Sequence, residues 1–137
     1  MDMNEFVSRH DSSLRLIVEN EFPGIRCVGG KYSAEDHTIT LYKKDIEIQC
    51  ERFLGSLDAL EEYTWVILAH EMGHALDTEL AMLSEELWNT GSSEILYQIE
   101  VNAWNIAAEI MPLVNRDLFT FIKDESLAHC TKRLLVG

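Results

Sequence analysis

The sequence predicts an α+β domain dominated by helices, with a small sheet of two or three strands. In the first half of the chain, short apolar alternations are separated by Gly and Pro, which is typical of strands. In the second half, apolar residues recur at helical spacing over long stretches without Pro. A chain of 137 residues is long enough for its own core, so we expect one domain over residues 1–137.

The N-terminal half predicts one helix followed by strands. Apolar residues recur at roughly helical spacing over residues 6–18, and the Phe-Pro-Gly sequence at residues 22–24 ends this pattern. Residues 24–33, "GIRCVGGKYS", predict a short strand ended by the glycine pair. Residues 37–50, "HTITLYKKDIEIQC", alternate apolar and polar positions, which predicts strands on both sides of a turn at residues 43–45.

The second half predicts buried helices. Asp58 followed by Glu61 is typical of a capping box, so we expect a helix from there to about Met82. Its residues 65–69 are apolar on every side, which indicates burial on most of the helix surface. After a looser connection, a second buried helix is expected from about Ser93 to Ile110, closed by Pro112, and then one or two amphipathic helices to the end of the chain.

Composition excludes several classes of function. The net charge is -13, which disfavours direct contact with nucleic acid because phosphate binding draws on Lys and Arg. The three cysteines are widely spaced and predict neither a disulfide framework nor a cysteine zinc site. No apolar run approaches a signal peptide or the roughly 20 residues of a membrane span. We therefore expect a soluble cytoplasmic protein.

The sequence "HEMGH" at residues 70–74 indicates a metal site. On a helix, His70 and His74 lie one above the other, about 6 Å apart along the axis, at a separation that suits two ligands of one ion. Glu71 is rotated by about 100° from His70 and is placed to act as a general base. Gly73 costs about 1 kcal/mol relative to Ala inside a helix, which favours a close approach by another segment of the chain or by a substrate. The alternative is an ordinary helix with two histidines.

A catalytic zinc needs a third protein ligand and one open position for water. Glu100 stands in an otherwise apolar stretch of the second buried helix, where a carboxylate is costly unless a cation pairs with it. Ala103 and Ala107 would let this helix pack closely against the histidine helix. Glu94 and Glu109 are poorer candidates because they lie nearer the helix ends. The alternative for Glu100 is a salt bridge at the surface.

These two segments resemble the ImmA/IrrE family of zinc peptidases. The similarity is specific at residues 67–77, "ILAHEMGHALD", and at residues 100–112, "EVNAWNIAAEIMP". It implies a zincin-like metallopeptidase domain with one Zn²⁺ per chain and Glu71 as the catalytic base. It also assigns three zinc ligands, His70, His74 and Glu100.

With these ligands, zinc would lower the pKa of a bound water to about 7, and Glu71 would take the proton as that water attacks a peptide carbonyl. Tyr97, one turn before Glu100, is a candidate donor to the oxyanion, with a structural role in the core as the alternative. Asp77, one turn past His74, would orient a histidine, unless it is a solvated residue at the helix end.

Two functional hypotheses follow from these residues. The first is an intracellular zinc-dependent endopeptidase that cuts a specific regulatory protein; by resemblance, this substrate would be a transcriptional repressor in a phage or mobile-element context. The second is a non-proteolytic anti-repressor or toxin–antitoxin-type binding module, in which zinc only holds two helices together. An intact Glu71 and the lack of an evident fourth ligand favour the enzyme.

Overall fold

The computed structural model describes residues 2–111 and 115–136, with side chains described through residue 130. Helices dominate this part of the chain, and three short strands lie near its N-terminus, so the predicted α+β class is confirmed. In chain order the elements are α1 (Met3–His10), β1 (Arg15–Glu19), β2 (Gly30–Ser33), β3 (Thr38–Tyr42), α2 (Lys43–Leu54), α3 (Leu60–Leu76), α4 (Leu80–Thr90), α5 (Ser93–Ile110) and α6 (Arg116–Val136).

The three strands form one mixed sheet in the order β1-β3-β2. β1 runs parallel to β3, with Arg15 opposite Thr38, and β2 runs antiparallel to β3, with Gly30 opposite Leu41. β3 is buried at every position, as expected for a central strand covered on both faces. Within the described residues, β2 is therefore an edge strand whose outer edge has no strand partner.

The prediction of one N-terminal helix over residues 6–18 is wrong in its second half. α1 ends at His10, and the apolar residues from Arg15 onward belong to β1. Between them, the Asp11 carboxylate accepts hydrogen bonds from the backbone N–H and the hydroxyl of Ser13, at 2.9 and 2.6 Å. This turn stops the helix, and pairing with β3 then outweighs the helical spacing of the apolar side chains.

The strands predicted over residues 24–33 and 37–50 are only partly correct. β2 begins at Gly30 rather than ending there, and the alternating residues after Tyr42 form helix α2. In that helix Ile46 and Cys50, four positions apart, are buried, whereas Ile48 is half exposed. The helical period thus accounts for the burial and the period of two does not.

The single helix predicted to reach Met82 is broken after Leu76. Asp77 has extended backbone, and its carboxylate accepts a hydrogen bond from the N–H of Glu79 at 2.9 Å, which starts a turn before α4. α4 then extends into the connection that was expected to be loose, as far as Thr90.

The other helix boundaries agree better with the sequence. α5 begins and ends as predicted, although Pro112, the expected closing residue, lies outside the described residues. α6 is a single helix, one of the two predicted arrangements. The expected cap at Asp58 is not made, since α3 begins after Ala59 without a side-chain cap. None of the helices in the described ranges has the length and hydropathy needed to cross a bilayer.

α3 lies between the sheet and α5 and approaches α5 very closely at Gly73. A Cβ placed at Gly73 would overlap the carbonyl oxygen of Ala103 and lie 2.8 Å from its carbonyl carbon. Ala103 and Ala107 are completely buried at this contact. The predicted close approach at Gly73 is therefore confirmed, and it sets the distance between the helices that carry the histidines and Glu100.

Candidate metal centre

α3 presents His70, Glu71 and His74 toward a common point. The two imidazole ring centroids are 4.8 Å apart, and one ligand atom from each of the three residues can be chosen so that all lie within 4.8 Å of one another. The histidine side chains are only 15% and 13% exposed. This group has the residue types and the spacing to hold a metal ion.

Glu100, on α5, contacts both histidines of this group. One carboxylate oxygen, Oε1, lies 3.1 Å from Nε2 of His70, and the other, Oε2, lies 3.1 Å from Nε2 of His74. A single carboxylate thus bridges the two imidazoles across the close contact between the helices. The structure brings Glu100 together with both histidines, as the sequence predicts.

Glu71 contacts the other side of His70. Its Oε2 lies 3.2 Å from Nδ1 of His70, and the side chain is buried. His70 therefore has a carboxylate at each ring nitrogen. If the neutral ring carries its proton on Nδ1, this N–H donates a hydrogen bond to the Glu71 carboxylate, and Nε2 is free to bind a metal.

The charges of these groups demand a cation. Burial alone lowers the pKa of His70, but hydrogen bonds to Glu100 and Glu71 raise it to about 10. Burial alone raises the pKa of Glu100, but hydrogen bonds from His70 and His74 hold it well below its usual range. These hydrogen bonds favour the charged forms of both groups. Because imidazole nitrogen and carboxylate oxygen are also the ligands that zinc prefers, the donor set fits a divalent ion.

Trp104 supports His70 from behind. The indole stacks on the His70 ring with a centroid distance of 4.4 Å and an interplanar angle of 18°, and the edge of Phe119 packs against it. Trp104 is 1% exposed, as expected for a core residue, and none of the described residues accepts a hydrogen bond from its Nε1. Its position one turn after Glu100 is the sequence signal that this residue lies at the site.

Asp77 braces the turn after α3. Its Oδ1 accepts from the N–H of Glu79, and its Oδ2 lies 3.3 Å from the side-chain nitrogen of Asn102 on α5. The same nitrogen donates to the Glu79 carboxylate at 3.0 Å. Within the described residues, the hydrogen bonds of Asp77 thus join α3, the turn and α5, and orientation of a histidine by Asp77 stays a prediction.

Two cavities meet at the metal group. One of about 530 Å³, called the open cleft below, lies between β2 and the helices α4 and α5. The other, of about 410 Å³, extends from His70 toward α6. Tyr97 is half-buried and lines neither cavity, whereas its neighbour Leu96 lines both. The structure thus brings Tyr97 less directly to the site than the sequence suggested.

β2 contributes residues that the sequence did not point to. A Cβ at Gly30 would lie 3.1 Å from Cγ of Glu71, so the strand passes directly over that carboxylate. Tyr32, two residues further on the same face of the strand, lines the open cleft. Its hydroxyl is 3.0 Å from Nδ1 of His37, whose Nε2 is 2.9 Å from the Asp11 carboxylate. In the sequence, the spacing of Gly30 and Tyr32 by two positions was the feature that could have indicated that both residues face the site from one strand.

Comparison of the chain with protein-family models, with curated proteins and with solved structures gives no match. The resemblance to ImmA/IrrE peptidases therefore stays a prediction that depends on residues 67–77 and 100–112. What the site does has to be inferred from its own geometry.

Proposed function

We propose that this protein is an intracellular zinc-dependent endopeptidase with a zincin-like domain. The observation that carries the proposal is the position of Glu100, whose two carboxylate oxygens contact Nε2 of both histidines of the H-E-x-x-H sequence. A third ligand from a second helix is what separates a catalytic zinc site from a helix with two histidines.

The proposed ligands are His70, His74 and Glu100, with one zinc ion per chain. Both imidazoles direct the same nitrogen, Nε2, at one carboxylate, whereas Glu71 contacts the opposite nitrogen of His70. When bound, zinc would polarise a peptide carbonyl and make water acidic enough to act as a nucleophile near neutral pH. Trp104 would keep the His70 ring in place and exclude water from its rear face.

Glu71 is the proposed general base. Its side chain is buried, and because residue 30 is glycine, β2 packs closely against it: a Cβ at Gly30 would lie only 3.1 Å from Cγ of Glu71. Glu71 would accept a proton from the attacking water and then donate it to the leaving amine. In the structure this carboxylate contacts Nδ1 of His70, whereas the proposed ligand atom is Nε2, so Glu71 would turn away from the ring to reach the attacking water.

The edge strand β2 is the proposed binding site for an extended substrate. Its outer edge has no strand partner in the described part of the chain, and Gly30 and Tyr32 place it along the open cleft. Main-chain hydrogen bonds to such an edge hold a peptide in extended form, which exposes its carbonyl groups. In keeping with the resemblance, we propose a regulatory protein of the repressor type as the natural substrate.

One observation favours the alternative of a binding module with a zinc-stabilised helix pair. The Glu71 carboxylate is close enough to the histidines to be counted with them as a ligand group. If Glu71 and Glu100 both bound the ion, the site would have four protein ligands, as structural zinc sites do. The two functions therefore make opposite predictions for the removal of Glu71.

The test is the Glu71→Gln variant beside Glu62→Gln, a matched control at an exposed position of the same helix. Zinc content and hydrolysis of a proteome-derived peptide library would be measured for both variants and the wild type. An enzyme predicts that Glu71→Gln keeps its zinc and loses hydrolysis. Loss of zinc from Glu71→Gln, or hydrolysis at the wild-type rate, would contradict the proposed function.

A further inference from the structure

The open cleft carries two positive charges in a chain that is strongly acidic. Arg26, before β2, and Lys31, on β2, are both among the lining residues of the cleft. Lys31 alternates with Gly30 and Tyr32, so its exposed side chain extends from the edge of the cleft. Apart from the residues of the metal group, Arg26 and Lys31 are the only charged lining residues in the described part of the chain, which holds 24 acidic and 11 basic residues over its full length. Outside the metal group, the described lining of the cleft thus carries a charge opposite in sign to the net charge of the chain.

Neither cation is neutralised by the protein. Both side chains are exposed, and within the described residues neither takes part in a salt bridge or a side-chain hydrogen bond. In contrast, Arg9 pairs with Glu5 at 2.8 Å. Arg26 and Lys31 are therefore available to a ligand in the cleft.

A bound divalent ion would leave these two cations uncompensated. Its two positive charges balance the carboxylates of Glu71 and Glu100, and neutral histidines add no charge. The net charge that a substrate meets in the loaded cleft is then set by Arg26 and Lys31. A cleft lined by one sign of charge attracts a segment of the opposite sign.

The helical wall of the cleft is apolar. α4 contributes Leu80 and Leu87, and α5 contributes Leu96 and Ile99. Three of these side chains are only half-buried, so apolar surface remains to be covered. The cleft volume of about 530 Å³ is sufficient for a bulky apolar side chain beside an extended backbone.

We propose that the cleft selects extended peptides in which an acidic side chain, bound by Arg26 and Lys31, lies near a bulky apolar residue that packs on α4 and α5. This specificity rests on the proposed peptidase function and names the chemistry of its substrate. In an extended peptide, two side chains three positions apart are separated by about 10 Å along the strand.

Lys31 also protects the exposed edge of β2, and this role has to be distinguished from the binding of an acidic side chain. A lysine on an exposed edge strand hinders edge-to-edge association. A glutamate at the same position is also charged and serves that role equally well. Replacing Lys31 by Glu therefore reverses the charge of the cleft while the edge stays protected.

The experiment measures peptide binding without turnover. Zinc-loaded Glu71→Gln protein would be titrated with three fluorescent octapeptides that share one leucine and differ by Glu, Gln or Lys three positions away. The titrations would be repeated after adding Arg26→Glu and Lys31→Glu together, and after adding Lys43→Glu and Lys44→Glu as a matched control on α2. Circular dichroism and zinc content would show that each variant is folded, and Arg26→Gln with Lys31→Gln provides a milder second pair.

We expect the Glu peptide to bind about tenfold more tightly than the Lys peptide, at two- to fivefold per exposed charge pair. In the variant with Arg26→Glu and Lys31→Glu, the Lys peptide should bind more tightly than the Glu peptide. In the variant with Arg26→Gln and Lys31→Gln, the three peptides should bind equally well. The preference for the Glu peptide should persist in the Lys43→Glu, Lys44→Glu control and become smaller at about 0.5 M salt. Equal binding of the three peptides, no binding, or a preference unchanged by the Arg26 and Lys31 substitutions would overturn the inference.

Failure of this inference is distinguishable from failure of the proposed function. If the wild type holds zinc and cleaves acidic and basic peptides equally well, only the substrate preference is wrong. If the chain holds no zinc but binds acidic peptides through Arg26 and Lys31, the preference stands and the peptidase function fails.

Discussion

Gly73→Ala tests whether the close contact between α3 and α5 creates the metal site. The added methyl group would lie 2.8 and 2.9 Å from the carbonyl carbon and Cα of Ala103, whereas carbon atoms pack at about 3.5–4.0 Å. Both neighbours are backbone atoms, so α5 has to retreat by about 1 Å. Overpacking of this kind costs about 1–3 kcal/mol, and the better helix propensity of Ala returns about 1 kcal/mol.

We therefore expect Gly73→Ala to lower the free energy of unfolding of the metal-free protein by up to about 2 kcal/mol in urea titrations. Because metal–ligand distances tolerate only about 0.2 Å, retreat of the helix that carries Glu100 should also weaken zinc binding at least about tenfold in chelator competition. The control is Gly91→Ala. Gly91 has a φ of 65°, and a Cβ added there would meet no atom of the described residues within 4 Å beyond its own turn of chain, so its replacement costs about 1 kcal/mol and leaves zinc affinity unchanged. A more stable Gly73→Ala protein with wild-type zinc affinity would refute the reasoning.

Three further predictions concern the surroundings of the site. Trp104→Ala should cost about 3–5 kcal/mol of unfolding free energy in urea, and Trp104→Phe clearly less, because it keeps a ring and removes an N–H without a partner; equal losses would contradict this. Hydrogen bonds from Ser13 and His37 lower the pKa of Asp11 from 3.8 to about 2, so the stability that Asp11 contributes is present above pH 3.8 and lost as the pH falls through about 2. In acid titrations followed by circular dichroism, the Asp11→Asn variant should lack this pH-dependent loss of stability. Identical titration curves for the variant and the wild type would contradict the low pKa of Asp11. Asn102→Ala should cost about 1 kcal/mol and speed hydrogen exchange in the turn at residues 77–79, whereas unchanged exchange would show that the turn is held elsewhere.

The two histidines of the metal group were predictable because their relative position depends only on residues that are close together in the sequence. The spacing of His70 and His74 places both rings on one helix face whatever surrounds the helix. Gly73 and Glu100 each break a local rule, one as a glycine inside a helix and the other as a carboxylate in an apolar stretch. The structure explains both, since the first allows the helix contact and the second touches both imidazoles.

The sheet and its contribution to the site were less predictable because strand pairing joins distant residues. The apolar residues of β1 have helical spacing, and only the register with β3 makes the segment a strand. The contact between Tyr32 and His37 likewise depends on how β2 pairs with β3. Leu96 rather than its neighbour Tyr97 lines the cavities because one residue turns a helix by about 100°, and the packing of α5 decides which side chain faces the site.

The measurement that tests the proposed metal centre most directly is the zinc content of purified protein by elemental analysis. Wild type, Glu100→Ala and His74→Ala would be compared, with Glu62→Gln as the control on an exposed face of α3. A three-ligand site predicts about one zinc per chain in the wild type and the control, and loss or sharp weakening of zinc binding in the other two variants. No tightly held metal in the wild type after zinc is resupplied, or full zinc content in Glu100→Ala, would contradict the proposed site.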